Sequence, residues 1–91
     1  MYEIKRSTQF KRDVRRSIKQ HKLMTKFKTI HELLMSGMSI PEKNKDHILS
    51  GNWNGHRECH IEPDWLLIYR IDRENKVIEY VRMGSHSDIF S

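Results

Sequence analysis

Three histidines and one carboxylate, His47, His60, Asp64 and His86, are the side chains of this sequence best suited to moving protons. Imidazole titrates near neutral pH and both gives and accepts a proton, while a neighbouring carboxylate orients the ring or acts as the base itself. Arg57 and Arg82 flank this set, and a guanidinium holds a phosphate through parallel hydrogen bonds and stabilises charge developing on it. Trp65, Tyr69 and Phe90 offer faces on which an unstacked base can rest. Each histidine alone says little. The signal is their density in KDHILSGNWNGHRECHIEPDWLLIY, from Lys45 to Tyr69, followed by RMGSHSDIF, from Arg82 to Phe90. Acid-base groups, a phosphate clamp and aromatic platforms suit the cleavage of RNA, which supplies its own nucleophile, the 2′-hydroxyl. An enzyme then has only to deprotonate that hydroxyl, stabilise the transition state and protonate the leaving 5′-oxygen, with no cofactor. Zinc remains an alternative use of the same histidines and Asp64, although their spacing matches no standard ligand motif.

These groups need elements to position them. Tyr2 and Ile4, two residues apart, suit a strand over residues 2–6. Ser7 or Thr8 can cap a helix whose apolar stripe is Phe10, Val14 and Ile18, with Lys11, Arg12, Arg15, Arg16 and Lys19 opposite. A second stripe runs through Leu23, Phe27, Ile30 and Leu34, widened by Met24 and Leu33, and Gly37 is a natural stop. Two helices joined so briefly should form an antiparallel hairpin seated on a sheet. Residues 38–54 lose all period and read as a long surface loop. RECHI, WLLIYRI and KVIEYVRM are then three strands of an antiparallel meander, turning at Glu62–Asp64 and at Asp72–Asn75. Alternation sends Arg57, Cys59 and Ile61 to one face and His56, Glu58 and His60 to the other. The turn should bring His60 close to Asp64, and the last strand should deliver His86 to the same end. The expected fold is α+β, in the order β-α-α-β-β-β, with the helices on one face of a mainly antiparallel sheet.

Length and composition bound the rest. Ninety-one residues suit one domain spanning 1–91, and the single cysteine, Cys59, excludes an internal disulfide framework. No apolar run approaches the length of a membrane span, so a soluble protein of the reducing cytoplasm is expected. Residues 1–28 hold ten Lys or Arg against Glu3 and Asp13, whereas the remainder carries a net negative charge. A basic N-terminal part fits either a polyanion or an acidic protein partner.

The two segments, in order, spacing and residue type, resemble the YafQ branch of the RelE/ParE superfamily of bacterial toxins. The resemblance covers about half the chain in two blocks; the N-terminal strand and helices agree in general character only. It implies a compact α+β fold and a ribosome-dependent endoribonuclease that cuts translated mRNA and is neutralised by an antitoxin. The motif histidines correspond to His47, His60 and His86, and the turn carboxylate to Asp64. By resemblance, Asp64 and His86 are the proton-transfer groups, in either order, with His47 and His60 stabilising the transition state or sharing the work. Arg57, Arg82, Trp65 and Phe90 match positions near the RNA. The resemblance implies no metal or other cofactor. Ribosomal RNA and an acidic antitoxin segment are both compatible occupants of the basic helices. His56 stands where relatives commonly carry an aromatic residue, and Ile48 replaces a frequent proline. Two other readings stay open: a non-catalytic RNA- or protein-binding module, and a gyrase poison of the ParE kind, since fold does not fix function.

Overall fold

The WLLIY run that opens the second meander strand is apolar at consecutive positions, the mark of a strand covered on both faces rather than one. The computed structural model, which describes residues 1–90, has both faces of this strand covered. Its elements are β1 (Glu3–Arg6), α1 (Thr8–Lys19), α2 (Met24–Met35), β2 (His47–Ile48), β3 (Arg57–Glu62), β4 (Trp65–Asp72), β5 (Val77–Gly84) and α3 (His86–Phe90). The five strands form one sheet in the order β1-β5-β4-β3-β2. β1 pairs parallel to β5, and the other pairings are antiparallel.

Trp65, Leu67 and Tyr69 of β4 point into the larger core, with Phe10, Ile30, Leu34, Cys59, Ile78, Tyr80 and Met83. Leu66 and Ile68 point the other way, under Ile89 of α3, with Leu49, Trp53 and Val81 packed around them. Each such buried aliphatic side chain contributes about 1.5–3 kcal/mol relative to exposure. The two long helices cover one face as expected, and α3 and part of the long loop, which the sequence reading did not foresee there, cover the opposite face beside the candidate site. The 38–54 segment is not a plain loop either. It carries 3₁₀ turns at Glu42–Asn44 and Gly51–Trp53 and contributes the edge strand β2, paired with β3.

Ser7 caps α1 as expected, its hydroxyl oxygen accepting from the Phe10 N–H at 2.9 Å. The stripe through Ile18 is corrected, because Ile18 is 55% exposed and α1 instead buries Phe10, Asp13 and Ser17. The i, i+3, i+7 face holds a carboxylate because Arg82, Arg16 and the Met83 N–H neutralise it there. Arg16, expected on the solvated face, is drawn into that cluster. α2 follows its pattern at Ile30 and Leu34, while Leu23 is an exposed cap residue. Gly37 ends the helical segment at φ +72°, a conformation that costs glycine nothing. No helix is long and apolar enough to cross a membrane.

Candidate active site

His47, Glu58 and His60 share one face because β2 and β3 pair with His47 opposite Glu58, and Glu58 and His60 are two residues apart on one strand. A bulge between His60 and Glu62 then turns the chain toward Asp64. Asn44, at the end of its 3₁₀ turn, donates to the His60 carbonyl at 2.7 Å and ties the preceding loop to this strand. From the other side β5 leads into α3, whose first residue is His86. The rings of His60 and His86 lie 5.8 Å apart, so chain segments far apart in sequence meet here.

The hydrogen bonds assign the ring protons. His86 Nδ1 sits 2.9 Å from Asp64 Oδ1, and the same oxygen accepts the His86 backbone N–H at 3.0 Å. A carboxylate only accepts, so Nδ1 carries the proton and Nε2 is left as the acceptor of the neutral ring. Those two bonds from His86, the backbone one foremost, hold the Asp64 carboxyl below its usual pKa although it lies in solvent. The pair is open to a substrate, with side-chain exposures of 54% for His86 and 69% for Asp64. His60 faces acceptors at both nitrogens, the Pro63 carbonyl at 3.2 Å from Nδ1 and Glu58 Oε1 at 3.1 Å from Nε2. His47 places Nδ1 2.7 Å from the Lys45 carbonyl and Nε2 3.9 Å from the same Glu58 oxygen.

The closeness expected of His60 and Asp64 does not become a bond: Asp64 takes His86, and His60 takes Glu58. Glu58, buried between two histidines, is the site residue that sequence reading missed. Its signal was present in the alternation His56, Glu58, His60, which put it on the polar face. Glu58, His60 and His86 also offer ligand atoms within 4.8 Å of one another, a set able to hold a metal ion.

The four residues expected to contact RNA fare differently. Phe90 is 41% exposed and packs its ring 6.1 Å from His86 and 5.8 Å from Trp53, so it presents a face beside the His86–Asp64 pair. Trp65 is corrected: it is 1% exposed in the larger core, because alternation along β4 turns it away from the site. Tyr69 is buried in the same core. Arg57 is corrected as well. It lies on the face opposite His60, donates to Asp46 at 3.0 Å and, with Tyr69, lines a cleft of about 440 Å³ whose walls include neither His60 nor His86. Its guanidinium is raised further above its usual pKa, chiefly by the hydrogen bond to Asp46. Arg82 is held by Asp13 at 2.8 Å, and Nη1 is the arm with no hydrogen-bond partner among the described residues. Since Trp65 is buried and does not face substrate, Trp65→Phe is expected to change the cleavage rate by less than about threefold, its cost falling on stability instead. Rate constants on one message check this, and a tenfold loss would return Trp65 to the site.

Over residues 2–91 the sequence matches the family described as bacterial toxin of type II toxin-antitoxin system, YafQ. The chain belongs to the YafQ toxin family. It is 39% identical over 89 residues to the mRNA interferase toxin YafQ of Escherichia coli K12, covering 97% of this chain and 95% of that one. The E. coli DinJ-YafQ complex contains a chain 38% identical, with a TM-score of 0.91 over all of both chains. A metal-bound toxin from Helicobacter pylori is 33% identical, with a TM-score of 0.92 over 99% of this chain and all of that one. These likenesses agree with the RelE-like α+β arrangement described above and with the family resemblance carried by the two sequence segments.

Proposed function

We propose that this chain is an mRNA endoribonuclease, the toxin of a type II toxin–antitoxin pair, and that it inhibits translation by cutting messages on the ribosome. The observation that carries the mechanism is the His86–Asp64 bond, which leaves His86 Nε2 as the acceptor. In this reading His86 Nε2 takes the proton of the 2′-hydroxyl, and the 2′-oxygen attacks the adjacent phosphorus as the bond to the 5′-oxygen breaks. His60, bonded to Glu58, and His47 beside it stabilise the phosphorane-like transition state and give a proton to the leaving oxygen. The products are a 2′,3′-cyclic phosphate and a free 5′-hydroxyl. Arg82 Nη1 meets a phosphate oxygen and Phe90 a base. The exposed row Lys11, Arg12, Arg15 and Lys19 on α1 contacts ribosomal RNA, and the basic helices receive an acidic segment of a cognate antitoxin, as expected of a relative of the toxin in the DinJ-YafQ complex.

Mapping 5′ ends on a translated message, with and without ribosomes, tests the activity. A message carrying a 2′-deoxynucleotide at the cut position should survive, and cleavage there would sink the 2′-hydroxyl mechanism.

A second reading rests on the Glu58, His60 and His86 set together with the metal-bound H. pylori relative. A divalent metal on those three side chains would engage the ring nitrogens that proton transfer uses. Micromolar zinc or copper should then inhibit cleavage, whereas a loss of cleavage on selective zinc chelation would make the metal a participant instead.

A further inference from the structure

Asp13 is the most heavily bonded charged group in the protein that proton transfer does not use. It is wholly buried on α1, yet its bonds run to the far end of β5. Oδ2 accepts from Arg82 Nε at 2.8 Å and from the Met83 N–H at 2.9 Å, and Oδ1 accepts from Arg16 at 2.8 Å and from Gln9 at 3.2 Å. Arg16 in turn donates to the Met83 carbonyl at 2.6 Å, so both backbone groups of Met83 are gripped from α1. Burial pushes the Asp13 carboxyl up, but the bonds from Arg82, Met83 and Gln9 outweigh it, and its pKa lies below the usual value.

The cluster continues into α3. Arg82 Nη2 donates to the Asp88 carbonyl at 3.3 Å, and Arg16 Nη2 lies 3.6 Å from the Asp88 carboxylate. That carboxylate accepts the Ser85 N–H at 3.0 Å while the Ser85 hydroxyl accepts the Asp88 N–H at 3.1 Å, closing a capping box around His86. The fit is tight: a Cβ on Gly84 would stand 2.5 Å from Arg16 Nη2. A helix of five residues does not hold itself, so its placement comes from outside.

We propose that Asp13 is a positioning residue for RNA cleavage: from α1 it fixes the path of the chain from Arg82 to Asp88, and thereby the meeting of His86 with Asp64 and the direction of the Arg82 guanidinium. The inference rests on the assignment of His86 as the base. Arg82 is thus held by a buried anion before any phosphate arrives, with Nη1 as the arm it still offers.

Asp13→Asn keeps an oxygen for Met83 but removes the charge that holds two guanidinium groups. Cleavage of a defined message on ribosomes should lose about 10–10²-fold in kcat with little change in KM, the scale that follows from misplacing a reacting group by about 1 Å. The ring resonances of His86, whose Nδ1–H donates to Asp64 in the wild type, should shift or broaden. Arg16→Met, at a partly exposed position, serves if Asp13→Asn does not fold, and should show the same resonance change with a loss of about 3–10-fold. A folded Asp13→Asn, or failing that Arg16→Met, with wild-type kcat overturns the proposal, as does a loss confined to KM or a rate loss with an unmoved His86 signal. His86→Ala run in parallel separates the two ideas: if it cleaves like wild type, the base assignment has failed, whatever Asp13 does.

Discussion

Replacing His86 with alanine is expected to slow cleavage of a translated message by about 10²–10⁴-fold, the range supplied by one positioned acid-base group. The ring Nε2 is the acceptor aimed away from Asp64, because Nδ1 donates to the Asp64 carboxylate. His86 is half exposed, so the substitution should leave the fold intact and the loss can be read as chemistry. Asp64→Asn should cost less, about tenfold, since an amide oxygen still accepts from Nδ1 but lends no negative charge to the imidazolium that forms. Primer extension over a time course, with folding checked by circular dichroism, measures both. Cleavage by His86→Ala within tenfold of wild type would remove the dyad from the mechanism.

Glu58→Ala is expected to act on stability and rate together. Its carboxylate is buried and is the acceptor shared by His60 at 3.1 Å and His47 at 3.9 Å. Removing it leaves the His60 ring without its buried acceptor and costs about 1–3 kcal/mol, a sizeable part of the roughly 5–15 kcal/mol that holds a small domain together. The urea midpoint should fall accordingly. Glu58→Gln isolates the rate effect, because the amide oxygen still accepts from His60 but no longer favours its charge. A drop in cleavage of about tenfold is expected, with most of the stability retained. A Gln variant as active as wild type would reduce Glu58 to a packing role.

The order of elements, the caps and the polar face of β3 were legible because each follows from local spacing. Ser7 precedes a four-residue apolar rhythm, Gly37 follows one, and alternation alone put His60 on the open face. What escaped is what depends on partners distant in sequence. Asp13 reads as a surface carboxylate amid six flanking charges and polar groups until Arg82, 69 residues away, is brought to it. Trp65 and Arg57 looked like RNA contacts from their neighbours in the chain, yet sheet parity turns both to the helix side. β2 is only two residues long, too short to leave a period. The apolar run in β4 is covered on both faces, but which segment covers the second is a tertiary fact.

The parallel pairing of β1 with β5 has a consequence for how the protein comes into being. β5 is the strand between β1 and β4, so the first strand synthesised has no place in the sheet until Val77–Gly84 has left the ribosome. Until then Phe10, Phe27 and their neighbours lack the Tyr80 and Met83 surface against which they pack. The contacts that close the fold span most of the chain, which makes folding slow and late in synthesis. Arg82 arrives on that same closing strand, with His86 directly behind it. The nascent chain therefore cannot bring His86 to Asp64 before that strand has emerged.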